Sequence, residues 1–133
     1  MVQCRHRRIG LFGGSFDPPH RAHLALARIA RDTLHLDELR WLPAGQPWQK
    51  AGRPLAASTH RVAMLRLLTN REPGFVLDER ELARNGPSYT IDSVREVGAE
   101  APDAEIFLVI GQDQYARFDT WHAWPELLAR VVL

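Results

Sequence analysis

Only one cysteine, Cys4, stands among the 133 residues, so no internal disulfide can form and neither a CxxC pair nor a Cys/His zinc spacing is offered. A reducing compartment fits that usage, and the cytoplasm is the expected location. Long apolar runs are missing as well: the longest, such as residues 106–110, fall far short of the ~18 residues a membrane helix needs. The basic Arg5-His6-Arg7-Arg8 is followed by an apolar stretch that breaks at Gly13-Gly14, too short for a signal-peptide core. Charge of one sign is also absent. Seventeen Lys+Arg against 16 Asp+Glu leave a formal +1, which sets up no global field for nucleic acid or an acidic membrane. Neither partner is expected, and any phosphate chemistry must be local. There is no internal repeat and no low-complexity tract. What remains, 45% hydrophobic and 25% charged residues, is the composition of one ordinary globular domain.

Hydrophobic patterning gives the organisation. Residues 8–12 form a short apolar run that ends in Gly13-Gly14, which reads as a buried strand entering a glycine turn. Asp17-Pro18 signals a helix start, and the stretch from His20 to Arg31 is rich in Ala, Leu and Arg, residues that lose little entropy in a helix. Leu39 to Pro43 reads as a second strand, followed by a loop over 44–54 long enough to suspect of function. Ser58-Thr59 opens a helix whose buried stripe is read as Val62, Met64-Leu65 and Leu67-Leu68; Pro73-Gly74 closes it. Phe75-Val76-Leu77 is a third strand, and Ser88 an N-cap for a helix through Thr90, Ile91, Val94 and Val97. Residues 105–110 are the clearest strand, apolar through the middle, delivering Gly111-Gln112-Asp113 at its carboxyl end. Uniform apolarity there implies helices on both faces. The aromatic-rich segment 118–125 leads to a short helix at 126–130, and Val131-Val132-Leu133 read as the start of another strand. The alternation of strand and helix predicts an α/β, doubly wound parallel sheet with its ligands at the carboxyl ends of the strands.

The densest chemical signal lies between the first strand and helix: Gly13-Gly14-Ser15-Phe16-Asp17-Pro18-Pro19-His20-Arg21-Ala22-His23. Glycines allow close backbone approach, and a helix start presents free N–H groups and the positive end of the macrodipole, so an anion fits here. His20 and His23 are three apart and share one face, from which two imidazoles can hydrogen-bond phosphate oxygens. Two other readings stay open at this level. A glycine turn between strand and helix is common, with no Walker or GxGxxG spacing here, and two histidines at this spacing can be half of a metal site. No HExxH or acidic partner at ligand spacing supports the metal.

The segment Gly14 to His23 resembles the GxFDPxHxGH signature of the nucleotidyltransferase superfamily. Four further segments resemble, in order, bacterial nicotinate-nucleotide adenylyltransferases. They are Leu42-Pro43 with the loop from Pro47 to Lys50; Leu77 to Leu82 with Arg84-Asn85; Pro87-Ser88-Tyr89-Thr90; and Gly111-Gln112-Asp113 with Phe118 and Trp121. The resemblance covers nearly the whole chain and implies a Rossmann-like doubly wound sheet of nucleotidylyl transferase type, with residues 1–133 as a single nucleotide-binding domain. It implies adenylyl transfer from ATP to nicotinate mononucleotide, giving nicotinate adenine dinucleotide and pyrophosphate in NAD biosynthesis. Magnesium is expected as the ATP complex, without a carboxylate cage of the protein's own.

By motif position, Gly13, Gly14, Ser15 and Phe16 are expected to line the ATP site, with His20 and His23 as the catalytic pair on its phosphates and Gly111 and Asp113 holding adenosine. Asp17 is expected to hold the turn. Lys50, Tyr89, Thr90 and Trp121 are nominated for the second substrate. Aromatic faces suit a pyridinium ring, and N–H groups beside Thr90 suit a carboxylate. Bland readings stand beside these: Tyr89 and Trp121 as core aromatics, Lys50 as a solvated loop lysine, Asp113 as a helix cap, Arg61 as a surface or substrate-side residue. The chain departs from the pattern at Ala22, where Gly is usual, and lacks the family's C-terminal Ile-Ser-x-Thr-x-x-Arg segment, so a fragment of a longer enzyme or a reduced relative is expected. Rival readings are a preference for nicotinamide mononucleotide, a pantetheine-phosphate adenylyltransferase, whose signature commonly has Thr at the place of His20, and a nucleotide-binding module without turnover.

Overall fold

The computed structural model describes residues 6–14, 16, 19–44, 58–83 and 89–133. Its elements run β1 (Arg8–Gly14), α1 (Arg21–Thr33), β2 (Glu38–Pro43), α2 (Ser58–Thr69), β3 (Phe75–Leu77), α3 (Thr90–Glu100), β4 (Glu105–Val109), α4 (Gln112–Ala116), a 3-10 turn (Phe118–Thr120) and α5 (Trp124–Arg130). The strands form one parallel sheet in the order β3-β2-β1-β4. Ile9 pairs with Glu38 and Gly14 with Pro43 on one side of β1, and Arg8 with Glu105 and Phe12 with Val109 on the other.

Alternate side chains of a strand leave opposite faces, and here they divide the core in two. Ile9, Leu11, Leu42, Ile106 and Leu108 pack with Ile91, Val94 and Val97 of α3, Phe118, and Leu127 of α5. Phe12, Leu39, Trp41, Phe107 and Val109 pack instead with Ala27 and Ala30 of α1 and Leu65 of α2. The sheet is therefore covered on both faces, as the apolar run of β4 requires, and the expected doubly wound, Rossmann-like architecture is present. The chain winds outward from β1 to β3 and then returns to β4 on β1's other side. The strand order thus reverses between β1 and β4, where ligands of such sheets bind, outside the carboxyl ends.

Polar residues at the β2/β3 side of the sheet are mutually satisfied. Arg40 pairs with Glu38 and, at 3.3 Å, with Asp78; Arg80 reaches Asp78 at 3.0 Å and Glu100 of α3 at 2.9 Å. Burial pushes the Asp78 carboxyl up, but the hydrogen bonds and charge of Arg80, with Arg40 beside it, hold it net below the usual carboxylate range. Gly74 turns the chain into β3 at φ 79°, a left-handed conformation only glycine adopts without strain.

Several local expectations are corrected. In α2, Val62 and Leu65 are buried but Leu67 is 83% exposed, because two residues beyond Leu65 a helix has turned about 200° to its opposite face. The N-cap of α1 is His20, past the Asp17-Pro18 signal, and that of α3 is Tyr89; Asp17, Pro18 and Ser88 lie outside the described residues. The helix after β4, which one reading has Asp113 capping, is the short α4. At the chain's end, Val132 makes one parallel bridge to Phe107, donating to the Ile106 carbonyl at 2.9 Å and accepting from Leu108 at 2.8 Å. Strand pairing does start there, on the outer edge of β4.

Candidate functional site

The paired histidines sit where β1 hands over to α1. The rings of His20 and His23 stack with centroids 3.8 Å apart and 21° between planes, so the predicted convergence on one face holds. The backbone N–H of His20 donates to His23 Nδ1 at 3.0 Å, which leaves Nε2 of a neutral His23 as the protonated, donating nitrogen. Burial lowers the His23 pKa from 6.5, and the neighbouring His20 lowers it further. The first turn of α1 carries no acidic residue, so no carboxylate of that turn offsets the positive end of its dipole. Ala22, at the position where the signature usually has glycine, is exposed on that turn.

Beneath the pair lies an aromatic floor. Phe16 is 2% exposed and adopts φ 48°; its ring meets Phe12 at 5.4 Å, His23 at 5.1 Å and Trp41 at 5.5 Å. Its side chain therefore supports His23 from inside, and any contact with a ligand falls to its backbone. Gly13 is exposed and Gly14 half-buried. Among the described residues, a Cβ at Gly13 would meet only the Leu42 carbonyl, at 3.7 Å, and one at Gly14 only the Phe16 ring, at 3.5 Å. A Cβ at Gly111, after β4, would meet none of the described residues within 4 Å. Packing among the described residues does not demand glycine at these exits, which present bare backbone on both sides of the switch point.

Asp113 lies in the first turn of α4, whose N-cap is Gly111, so Asp113 does not cap that helix; it is exposed. Arg61, read as a surface or substrate-side residue, is corrected: it is 2% exposed and its Nη1 donates to the Ala44 carbonyl at 2.6 Å. The α2 stripe turns it inward with Val62 and Leu65, and a backbone acceptor meets it there.

On the opposite face of the sheet, Tyr89 and Thr90 open α3, both half-buried. The Tyr89 ring stacks on His122 at 4.5 Å and 30°. Trp121 lies 5.2 Å from Phe118, and both it and Tyr89 pack against the α3–α5 core, so the reading as core aromatics is in part correct. The Trp121 indole Nε1 is buried without a hydrogen-bond partner among the described residues. The turn around Glu81 is fastened to α3: Ser93, fully buried, donates to Glu81 at 2.6 Å. His122, Glu81 and Ser93 were missed as site-building residues. The aromatic run 118–125 held the signal for His122, whereas a buried carboxylate such as Glu81 has none without its partner. Ser15 and Lys50 lie outside the described residues. Two groupings result, the histidines over Phe16 on one face and Tyr89 with His122 beside Trp121 on the other. Among the described residues no group of three His, Cys, Asp or Glu is placed to hold a metal ion, and no helix is long and apolar enough to cross a membrane.

Residues 11–133 match the cytidylyltransferase-like family. The chain belongs to that family. Among similar proteins, the "Probable nicotinate-nucleotide adenylyltransferase" of Methylibium petroleiphilum is 60% identical over 127 residues, 96% of this chain and 59% of that protein. The protein of the same name from Albidiferax ferrireducens is 49% identical, over 96% of this chain and 64% of its own length. The chain thus spans about three fifths of the curated relatives it matches. In fold it is similar to the nicotinic acid mononucleotide adenylyltransferase of Plasmodium falciparum solved with NaAD: TM-score 0.79 at 20% identity, covering 92% of this chain and 60% of that one.

Proposed function

We propose that this chain carries the nucleotide-binding core of a nicotinate-nucleotide adenylyltransferase in NAD biosynthesis. The observation that carries the reading is the stacked His20–His23 pair at the acid-free start of α1, beside bare glycine backbone at the switch point. The names of relatives up to 60% identical support it.

In this reading a phosphate oxygen of nicotinate mononucleotide attacks the α-phosphorus of ATP. The new P–O bond forms as the bond to the β-phosphate bridging oxygen breaks, and that oxygen leaves with pyrophosphate. The nucleophile is already anionic and needs no strong base, so the protein aligns the groups and offsets charge. His23, fixed through Nδ1, offers Nε2–H to the phosphates; His20 stacked on it supplies a second donor. Gly13, Gly14, Ser15 and Phe16 contribute backbone, and Gly111 and Asp113 the adenosine side. Magnesium would enter with ATP as part of the substrate and would offset charge on its phosphates. Tyr89, Thr90 and Trp121 take the pyridine nucleotide on the other face, with Lys50 in the loop after β2. A cytoplasmic enzyme with no nucleic-acid or membrane partner fits this role.

The test is pyrophosphate release by the purified 133-residue chain with magnesium-ATP and nicotinate mononucleotide, run beside the nicotinamide form. Release that favours the acid form supports the proposal. Release only with the nicotinamide form overturns the substrate, and a folded chain that binds ATP without release has nucleotide binding alone.

A further inference from the structure

We propose that Arg61 is a positioning residue for the ATP phosphates: it touches no substrate and holds the backbone at the end of β1 in its anion-receiving form. This rests on the ATP site proposed above.

Arg61 is the fourth residue of α2 and is 2% exposed, whereas the Arg66 side chain on the same helix is 67% exposed. A buried guanidinium is costly to desolvate unless acceptors hold it, and methionine would fill the volume without that cost. One of the acceptors here is backbone. Nη1 donates to the Ala44 carbonyl at 2.6 Å, and the Ala44 N–H donates to the Gly14 carbonyl at 2.8 Å. One strut therefore runs from α2 through the residue that follows β2 to the last residue of β1, where the pairing of the two strands ends at Gly14 with Pro43.

The Gly14 oxygen is the group at stake. A glycine peptide turns more freely than any other, and a carbonyl oxygen rotated outward would present negative charge to an incoming triphosphate. Tied to Ala44, it faces back toward β2. Ala44 is in turn held at both its N–H and its C=O. The same guanidinium, which stays protonated at any working pH, stands behind the glycine turn. A geometric and an electrostatic effect thus favour the same ligand, a polyphosphate, and neither concerns Tyr89 and Thr90 on the opposite face.

The experiment is calorimetric titration of the full chain with magnesium-ATP and, separately, with nicotinate mononucleotide, for the wild type, Arg61→Met, Arg61→Lys and Val97→Ala. Val97→Ala removes fully buried packing from the other core and controls for general destabilisation. Arg61→Met is expected to weaken ATP about tenfold or more while nicotinate mononucleotide changes less than about twofold. Arg61→Lys restores part of the loss, and Val97→Ala leaves ATP affinity unchanged. ATP affinity unaltered in folded Arg61→Met, or equal losses for both ligands, overturns the proposal. Should Arg61→Met not fold, Ala44→Pro, which lacks the N–H that reaches Gly14, takes its place, and unaltered ATP affinity in it is equally fatal. A wild type that binds no ATP refutes the ATP site itself, a separate failure.

Discussion

Removing one hydroxyl, in Ser93→Ala, tests how the start of α3 is held. Ser93 is fully buried, Glu81 is 7% exposed, and the 2.6 Å hydrogen bond between them joins the turn at 79–83 to α3. The substitution keeps Cβ, so almost no packing is lost. A hydrogen bond to a charged acceptor is worth about 1.5–3 kcal/mol, a large share of the roughly 5–15 kcal/mol that holds a domain together. Glu81→Gln keeps an acceptor but removes the charge, which should leave about half the strength. The assay is urea unfolding of wild type, both single variants and the double variant, read as a cycle so that the coupling is separated from each residue's other contacts. Because Glu81 leads into Tyr89 and Thr90, Ser93→Ala should also weaken nicotinate mononucleotide more than ATP. A loss below about 0.5 kcal/mol, the range of ordinary surface changes, with unaltered slope against urea, would refute the reasoning.

Under the proposed reaction, His20→Ala or His23→Ala should lower kcat by about 10²-fold or more, the effect of removing one preorganised donor, while Trp121→Ala should mainly raise KM for the pyridine nucleotide. Full turnover in both histidine variants would remove the phosphate assignment. The lowered pKa of His23 makes stability depend on pH: between 6.5 and its lower folded value the unfolded chain binds a proton that the folded chain does not, so stability falls as pH drops through that window. Unfolding across pH 5–8 should show this slope reduced in His23→Asn, and an identical slope would contradict it. Hydrogen bonds from Arg28 and Arg31 hold Glu72 at about 2, and those from Arg95 and Arg130 hold Glu126 at about 2, against 4.5. Their contribution is complete above about pH 4.5 and is lost as pH falls toward 2, so Glu72→Gln should flatten the acid limb of the stability curve.

Elements with a strong local period were legible in sequence. β1 and β4 carry uninterrupted apolar residues because both faces are covered, and the alternation of Ile106 and Leu108 with Phe107 and Val109 between two cores follows from the strand itself. The histidine pair was legible for the same reason, since a spacing of three on a helix fixes a shared face before any tertiary contact forms. What stayed hidden depends on partners distant in sequence. Arg61 looks like a surface arginine until the Ala44 carbonyl, 17 residues earlier, is brought against it. Phe16 sits in a motif that invites a ligand contact, yet its ring serves as floor for His23 because φ 48° sends it inward to Phe12 and Trp41. His122 gains meaning only once α3 places Tyr89 on its face, 33 residues away in the chain.

The distribution of charge explains why the carboxyl edge is the end available for chemistry. At the amino ends of the strands, acids and bases consume one another: Arg7 pairs with Glu38, Arg8 takes Asp37 through its backbone N–H at 2.8 Å and Glu105 at 3.8 Å, and His6 meets the Asp103 carbonyl at 2.9 Å. A polyanion arriving there would have to displace carboxylates already in place. At the carboxyl ends, the exits of β1 and β4 present glycine backbone, the first turn of α1 has no acidic residue, and the cation nearest the turn by hydrogen bonding, Arg61, is held inside. Both edges belong to the same sheet and the chain as a whole is nearly neutral, so net charge cannot distinguish them. Among the described residues the pairing does: Arg7 and Arg8 are exposed or half-exposed cations already spent on carboxylates, whereas the turn from β1 into α1 is flanked by helix amides, two imidazoles and the buried Arg61 guanidinium.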